Sequence, residues 1–283
     1  MACWAEPKIV PAEVRLPRTS SRMSSILLIG TGRLAFHLGH AFQRSDHSIV
    51  GVVGRDPAKT EALAKELGCP SFNLGDASPT ADLRVLAVSD DAVQAVAELL
   101  PDDGTPVAHL SGSRSLELLN PHPHRGVLWP IQSFSPGKPV DFSIVPLVVD
   151  ANDEATLRLL RELAGRVSFT VVHLPFAQRQ RLHLSAVIAS NFPVFLLREA
   201  ERLLKAHEID PALLHPLWRS ATDKALLDAD KAVTGPARRG DVKTVAQQMD
   251  LLANEPELRC AYAALSDLIL DTYHPEARDH QDL

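Results

Sequence analysis

Cysteine is scarce in this chain, and its spacing excludes the common metal and disulfide frameworks. The three cysteines, Cys3, Cys69 and Cys260, are widely separated and form no CxxC pair. No cluster of cysteine and histidine has the spacing of a zinc site, so we predict no bound metal. An odd number of isolated cysteines favours free thiols in a reducing compartment.

Long apolar runs and an excess of basic residues are also missing. No uninterrupted hydrophobic segment approaches the roughly 20 residues that a membrane span requires. Lysine plus arginine number 29 against 35 aspartate plus glutamate, which gives a formal net charge of −6. A mildly acidic chain is a poor general binder of nucleic acid, because that binding needs a basic surface. We therefore expect neither a membrane nor a nucleic acid as partner.

The beginning of the sequence lacks the apolar stretch of a secretory signal. Residues 1–22 also contain two glutamates, which disfavours a transit peptide. We interpret residues 1–22 as a loose extension and expect a cytoplasmic location by default. Aromatic residues reach only 5% of the chain and hydrophobic residues 45%. This composition favours helices and α/β layers over an all-β sandwich.

Short apolar runs alternate with helical patterns up to about residue 174. Helical patterns such as PAKTEALAKELG separate the runs. The runs are typical of buried strands and read SSILLIG, SIVGVVG, DLRVLAVS, TPVAHLSG, GVLWPI, SIVPLVVD and VSFTVVHL. Such alternation builds a doubly wound, mainly parallel sheet of Rossmann type, so we predict an α/β dinucleotide-binding domain over residues 23–174.

The strand patterns stop near Pro175. Residues 175–283 contain long helical patterns and no convincing strand. Pro193 lies inside the first pattern and should kink or locally distort that helix. We therefore predict an all-helical C-terminal domain after the Rossmann-type domain.

A glycine-rich motif lies between the first predicted strand and the first predicted helix. Gly30 permits the tight turn, Gly32 lets the backbone approach a pyrophosphate, and Ala35 lets the helix pack closely on the sheet. Unpaired N–H groups at the helix start would face the phosphate oxygens. The six residues match G-x-G-x-x-G/A and are Gly30, Thr31, Gly32, Arg33, Leu34 and Ala35. The motif predicts a dinucleotide site.

The end of the second predicted strand indicates which dinucleotide binds. It reads Gly54-Arg55-Asp56-Pro57, where an NAD-type protein would carry an acidic residue for the ribose. The guanidinium of Arg55 suits a 2′-phosphate, and Lys59 could assist. Asp56 is better explained as the N-cap of the following helix. We therefore expect NADP(H), the alternative being that Arg55 is a solvated surface residue.

Two further loops should face the cofactor, since ligands bind beyond the carboxyl ends of parallel strands. His109 is a candidate for substrate binding, although a histidine among apolar neighbours is equally compatible with a core position. The expected cofactor contacts are Val88, Ser89 and Asp90 after the third strand, and Ser111 and Gly112 after the fourth.

Polar residues interrupt the first apolar helix of the C-terminal half. At about 100° per residue, His183 and Ser190 lie about 20° apart on the helix, with Asn191 about 80° from His183. Polar groups on an apolar helix are costly unless they are paired, so these are either core hydrogen-bonding residues or functional ones. In the functional interpretation they are catalytic, with His183 as general acid or base and Asn191 polarising a substrate oxygen or holding a water.

The stretch TGPARRGD forms a second candidate element in this half. Arg239 could bind an anionic substrate group, and we include Asp241 among the candidate substrate-binding residues. The alternative is an interhelical turn in which Asp241 caps the next helix.

Several motifs together resemble a known family over about Ser24 to Tyr273. They are GTGRLA, HLSG, LWPIQSFS, RLHLSAVIASNF, and TGPARRGD followed by ELRCAYAALSDLIL. The chain resembles Rossmann-like proteins with a C-terminal helical domain of unknown function, commonly named as NADP oxidoreductases. It is more distantly similar to pyrroline-carboxylate reductase, ketopantoate reductase and the β-hydroxyacid dehydrogenases. The resemblance implies that the helical domain completes the active site and forms a homodimer.

The chain departs from these relatives at two places. Trp129-Pro130 stands where the family carries Tyr-Pro or His-Pro, so Trp129 is better explained as a packing residue of the cleft wall. The lysine and asparagine helix of the wider superfamily has no match, because His183, Ser190 and Asn191 occupy that stretch.

These observations predict an NADP(H)-dependent oxidoreductase that transfers a hydride to or from a small polar or anionic substrate. The alternative is a protein that binds NADP(H) without turnover and acts as a redox-responsive regulatory module. A third possibility is a non-redox enzyme that retains the fold, since fold alone does not decide function.

Overall fold

The structure is a computed structural model that describes residues 23–275. The extension predicted over residues 1–22 lies outside the described residues. The chain divides into two compact units, Met1–Ile188 and Ala189–Leu283. This division lies within the helical run that follows Pro175, rather than before it.

An eight-stranded sheet forms the centre of the first unit, in the order β3-β2-β1-β4-β5-β6-β7-β8. All neighbouring strands are parallel except β6 and β7, which confirms the doubly wound, mainly parallel arrangement. The strands are β1 (Ser25–Ile29), β2 (Ser48–Gly54), β3 (Ser71–Asn73), β4 (Leu83–Leu86), β5 (Val107–His109), β6 (Arg125–Pro130), β7 (Leu147–Ala151) and β8 (Val171–His173). The sequence did not predict β3, because three residues with one large apolar side chain carry no periodic pattern.

Five α-helices belong to the first unit within residues 23–188. They are α1 (Arg33–Arg44), α2 (Pro57–Glu66), α3 (Val93–Ala97), α4 (Glu154–Val167) and α5 (Phe176–Ala186). The helix predicted over DDAVQAVAELL is shorter than expected, because its first turn is a 3-10 helix over Asp90–Ala92. Asp56 caps α2 by accepting a hydrogen bond from the Lys59 amide, which confirms the predicted cap.

The core of this unit lies on both faces of the sheet. Side chains of a strand alternate between the two faces. Ile26 and Leu28 of β1 therefore join the cluster that contains α1 and α4, whereas Leu27 and Ile29 join the cluster that contains α3. All four are at most 1% exposed, so β1 is buried on both faces, as central parallel strands are.

The second unit is helical, and its described part contains no strand. Its helices are α6 (Phe192–Ala206), α7 (His215–Leu227), α8 (Ala229–Ala232), α9 (Val242–Leu251) and α10 (Pro256–Tyr273). A π-helical turn over Val187–Asn191 links α5 to α6. Pro193 lies directly after this turn, and its missing N–H and its ring disfavour regular α-helical bonding there. The predicted distortion at Pro193 is therefore confirmed.

Among residues 23–275, none of the helices is both long and apolar enough to cross a membrane.

Candidate functional site

The strand order places the predicted cofactor loops at one position in the sheet. From β1 the chain winds towards β2 and β3 on one side, and from β4 towards β5 and β6 on the other. The carboxyl ends of β1 and β4 are therefore the topological switch point, where open α/β sheets bind ligands. The loops that follow β1, β2, β4 and β5 carry the predicted cofactor contacts.

Gly30 is required by the fold itself. Its φ is +121°, a left-handed conformation that favours glycine, and its N–H donates to the Val53 carbonyl at 2.8 Å. A Cβ atom at Gly30 would overlap the Ala87 carbonyl oxygen at the end of β4. The turn after β1 can therefore exist only with glycine at this position.

At Gly32, in contrast to Gly30, the fold does not require glycine. It has an ordinary extended backbone, with φ −79° and ψ 179°, and a Cβ atom there would meet nothing within 4 Å. The described residues therefore impose no need for glycine at the start of α1. Open space beside a helix N-terminus leaves room for a bound anion.

The first turn of α1 lacks a side-chain cap. Phe36 makes the first intrahelical hydrogen bond, to the Gly32 carbonyl at 3.1 Å, so the preceding amides have no acceptor within the helix. Aspartate side chains cap α2, α4 and α9. Free amides and the positive end of the helix dipole fit a dinucleotide pyrophosphate. Ala35 is fully buried and brings α1 close to the sheet.

The other residues of the motif are placed around this turn. Arg33 donates through Nη1 to the Phe134 carbonyl at 3.3 Å, and Leu34 packs against the core cluster of α1 and α4. Thr31 lies beside Gly54, where a Cβ atom would be 3.0 Å from Thr31 Cγ2 and would overlap Thr60 Oγ1. The loops after β1 and β2 thus approach each other closely.

Arg55 lies exposed at the carboxyl end of β2. Its guanidinium forms no hydrogen bond or ion pair with any residue that the structure describes. Lys59 is also exposed, but its Nζ lies 3.4 Å from Asp56 Oδ2. Arg55 is therefore the cation of this loop that remains available to a phosphate.

Asp90 connects the loop after β4 to the loop after β5. Its Oδ2 atom accepts hydrogen bonds from Ser111 Oγ at 2.8 Å and from Ser113 Oγ at 2.9 Å. Arg114 Nε lies 3.6 Å from the same oxygen. Val88 lies beside the Gly30 turn, where its Cγ1 would be 3.2 Å from an added Cβ, and the Ser89 carbonyl accepts the Ala92 amide. The structure thus brings the predicted residues of these loops together.

His109 is fully buried at the end of β5. Nδ1 accepts the Ser111 amide at 3.1 Å, and Nε2 lies 3.3 Å from the Ser115 carbonyl. Burial, together with the nearby charge of Arg179, lowers the pKa of His109 to about 4. The neutral ring therefore fixes the loop after β5, and a contact with substrate stays a prediction.

Gly112, Trp129 and His183 lie next to one another within the first unit. A Cβ atom at Gly112 would overlap the Trp129 indole, which is 8% exposed. The imidazole of His183, on α5, packs against the same indole with 5.6 Å between ring centroids. His183 is half-buried, and its nitrogens have no hydrogen-bond partner among residues 23–275. Trp129 is thus a packing residue, as predicted.

Ser190 and Asn191 lie exposed in the π-helical turn. The predicted alignment of these residues with His183 assumed a regular α-helix. A π-turn bonds residues five apart instead of four, so that spacing does not hold across Val187–Asn191. Their catalytic role stays a prediction.

The TGPARRGD loop belongs to the second unit. Arg239 is exposed at the end of a 3-10 turn, and its side chain has no hydrogen-bond or ion-pair partner among the described residues. Asp241 caps α9, since Oδ1 accepts the Thr244 amide at 3.0 Å and Oδ2 the Thr244 hydroxyl at 2.7 Å. The capping alternative for Asp241 is therefore confirmed, and substrate binding by these residues stays a prediction.

The sequence did not indicate Arg179, which is fully buried beside the loop after β5. It precedes His183 by one helical turn, so a helical spacing from His183 could have drawn attention to it. The exposed Arg181 nearby is chemically identical, and only the packing of α5 distinguishes the two.

Within residues 23–275, no group of three or more histidine, cysteine, aspartate or glutamate side chains could hold a metal ion.

Comparisons with known proteins agree with this architecture. Residues 12–132 match the model of the Rossmann-like domain, and residues 145–269 match that of a domain of unknown function, DUF2520. A search of curated proteins finds no match.

Solved structures with a similar fold cover most of the chain. A Bacteroides fragilis protein described as a "putative NADP oxidoreductase" is 29% identical, covers 88% of this chain and 98% of its own, and has a TM-score of 0.79. A Thermotoga maritima protein is 23% identical, covers 86% and 97%, and has a TM-score of 0.73. Pyrroline-5-carboxylate reductase from Coxiella burnetii is 15% identical, covers 87% and 96%, and shares the fold with a TM-score of 0.53. The two matches confirm the predicted resemblance to Rossmann-like proteins with a C-terminal domain of unknown function.

Proposed function

We propose that this chain is an NADP(H)-dependent oxidoreductase. The observation that carries the proposal is the turn after β1, in which Gly30 is forced by the fold and Gly32 is not. The uncapped amides of α1 begin beside Gly32, at the switch point between β1 and β4. A dinucleotide pyrophosphate supplies the acceptors that these amides lack. The similar Bacteroides fragilis protein, described by its NADP chemistry, supports the same class.

Arg55 supports NADP(H) over NAD(H). Its guanidinium is exposed at the carboxyl end of β2 and has no described partner, so a 2′-phosphate could form charge-assisted hydrogen bonds with it. The aspartate of the same loop, Asp56, caps α2, which gives it a structural role other than binding the ribose hydroxyls.

The bound cofactor would supply or accept the hydride. Asp90, Ser111 and Ser113 hold the loops after β4 and β5 together, and we expect these loops to lie beside the nicotinamide. His183, with unpaired ring nitrogens and a place against Trp129, would exchange a proton with a small polar or anionic substrate. The catalytic roles of Ser190 and Asn191 and the substrate-binding role of Arg239 stay predictions.

The helical unit supports the proposal of a homodimer. In its described part, the buried residues are Ala237, Val245, Leu252 and Ser266. Large apolar side chains are exposed on several of its helices, among them Leu217 at 67%, Leu226 at 83%, Leu227 at 88%, Leu251 at 84% and Leu268 at 63%. Exposed apolar surface on this scale is typical of an interaction site, and a second copy of the same unit would cover it.

Titration of the purified chain with NADPH and with NADH tests the function, with nucleotide fluorescence as the readout. We expect NADPH to bind at least tenfold more tightly, since one charge-assisted contact contributes about 1.5–3 kcal/mol. Equal affinity would contradict the role of Arg55, and absence of binding would contradict the proposal. Tight binding without NADPH consumption across a wide screen of carbonyl and imine substrates would favour the regulatory alternative.

A further inference from the structure

Arg179 is a buried cation that the proposed function has not yet used. Its side chain is 0% exposed, whereas arginine is almost never fully buried without a specific partner. It lies on α5, within the first unit, and the Phe176 ring packs 5.3 Å from its guanidinium carbon. A charge removed from water at this position requires compensating contacts.

The guanidinium finds those contacts in one short loop. Nη1 donates to the carbonyl oxygens of Ser111 at 3.1 Å, Gly112 at 3.3 Å and Arg114 at 2.7 Å. Nη2 lies 3.6 Å from Asp150 Oδ2, on β7, and the other oxygen of Asp150 is 3.4 Å from His173 Nε2. Asp150 is therefore the counter-ion, and the loop after β5 receives the hydrogen bonds.

Three carbonyls that converge on one nitrogen determine how this loop presents its amides. A trans peptide is planar and places its C=O and N–H on opposite sides. Because the Ser111 carbonyl faces Arg179, the Gly112 N–H is directed away from it. Gly112 is buried, and its N–H meets no acceptor within residues 23–275. Buried amides without a partner are rare, so this donor is available for a ligand.

The same loop also carries the contacts expected for the nicotinamide end of the cofactor. Ser111 and Ser113 bond to Asp90, and Gly112 packs on Trp129. The position of all these groups depends on the path of the backbone through residues 111–114. A small displacement of that path would misalign each of them.

We propose that Arg179 is a positioning residue, which holds the loop 111–114 in the conformation that presents the Gly112 N–H and the Asp90–Ser111 pair to the bound nucleotide. This inference rests on the proposed function, because the nucleotide is the ligand that it assumes. Arg179 itself need not touch the nucleotide, since Nη1 donates to the loop carbonyls and Nη2 faces Asp150.

The chain offers a matched control for the loss of a buried arginine. Arg84 on β4 is 2% exposed, pairs with Asp103 at 2.6 Å and donates to the Pro101 carbonyl at 2.9 Å. It lies near the amino end of β4, whereas the cofactor loops follow the carboxyl ends. Arg179→Gln and Arg84→Gln should both lower the Tm, because each removes a buried guanidinium together with its hydrogen bonds to backbone carbonyls and its ion pair.

The test compares these variants with wild type in NADPH affinity and in hydrogen exchange of the amides of residues 111–115. We expect Arg179→Gln to raise the Kd for NADPH about tenfold and to accelerate exchange in this loop, because the hydrogen bonds that hold its carbonyls are lost. Arg84→Gln should keep the wild-type Kd and the wild-type exchange of this loop. A purely structural role would instead change both variants alike.

Two outcomes would overturn the inference, and a third separates it from the proposed function. Arg179→Gln with wild-type affinity and wild-type loop exchange would contradict it, as would equal loss of affinity in both variants. If Arg179→Gln does not fold, Arg179→Lys replaces it; the lysine lacks the planar fork, so wild-type values would again contradict the inference. If wild type itself binds no NADPH, the proposed function fails, while faster exchange in the loop would still support the positioning of residues 111–114 by Arg179.

Discussion

At the residue scale, the proposed preference for NADP(H) rests on a single exposed guanidinium, that of Arg55. We predict that Arg55→Ala raises the Kd for NADPH by about tenfold or more and leaves the Kd for NADH unchanged, because only NADPH carries the 2′-phosphate. Lys65→Ala is the matched control, since Lys65 is an equally exposed cation at the other end of α2. Parallel titrations of the three proteins give the answer. An equal effect of the two substitutions would indicate a general loss of positive charge.

A second residue-scale prediction concerns pH. The folded pKa of His109 is about 4, below the ordinary value of 6.5, so the unfolded state binds the proton more readily. The resulting stability is complete above pH 6.5 and is lost as the pH falls from 6.5 towards 4. At pH 5 the loss from His109 should be about 2 kcal/mol.

Urea unfolding at pH 7.5 and pH 5 measures this effect. His109→Gln retains one donor and one acceptor but cannot titrate, so the fall in its free energy of unfolding should be smaller than that of wild type. The buried His47, whose pKa burial also lowers, is unchanged in both proteins and contributes equally. Identical losses in the two proteins would exclude His109 as a source of the acid sensitivity.

Some site residues could be predicted from the sequence because their roles are local. Gly32 and Asp56 act within a few residues of the chain, and a strand–turn–helix pattern fixes that neighbourhood. Arg179 could not be predicted, because its role depends on a loop 65 to 68 residues away and on which face of α5 is buried. His109 holds the same loop through hydrogen bonds to Ser111 and Ser115, which are close to it in sequence. The sequence nevertheless did not decide whether His109 is a core residue or contacts the substrate.

At the element scale, aspartate side chains cap α2, α4 and α9, whereas α1, like α5 and α10, has no side-chain cap. Asp153 caps α4 through the Thr156 amide at 2.9 Å, and its other oxygen accepts from Thr156 Oγ1 and lies 3.0 Å from His124. We predict that Asp153→Ala lowers the free energy of unfolding by about 1–2 kcal/mol, and that Asp153→Asn loses less because an amide oxygen still caps. Chemical denaturation measures both. Equal losses would show that the negative charge matters more than the cap.

The helical run after Pro175 contains a π-turn that the periodicity of its apolar residues does not predict. Its apolar pattern continues through Pro193 without a break, so the sequence predicts one distorted helix. The structure contains instead α5, a π-turn and α6. The position of the π-turn depends on how the backbone accommodates the missing N–H and the ring of Pro193. No residue pattern specifies that position. The rotation between His183 and Asn191 was therefore beyond the reach of the sequence.

At the scale of the whole molecule, the exposed apolar surface of the helical unit predicts self-association. We expect sedimentation to give a dimer for wild type and a monomer, or a dimer at least tenfold weaker, for Leu227→Glu, because a charge would be buried in an apolar interface. Ile144→Glu is the control, since Ile144 is 75% exposed on the first unit. A monomeric wild type, or a dimer that Leu227→Glu leaves intact, would contradict this interface.

The mainly parallel sheet and the class of both halves were predictable, because strand and helix patterns alternate in the first half and only helical patterns occur in the second. What the sequence could not supply is how loops from distant strands meet, such as Asp90 with Ser111 and Ser113. Those contacts arise only after β4 and β5 pair in the sheet.

The most direct measurement is calorimetric titration of NADPH into wild type and Gly32→Asp, with the Tm of each. The structure leaves open space at Gly32, and aspartate is the residue that caps α2, α4 and α9. We predict an unchanged or higher Tm together with at least a tenfold loss of NADPH affinity, because the carboxylate occupies the amides that would hold the pyrophosphate and repels its charge. Undiminished NADPH binding by Gly32→Asp would show that the nucleotide does not bind at this turn.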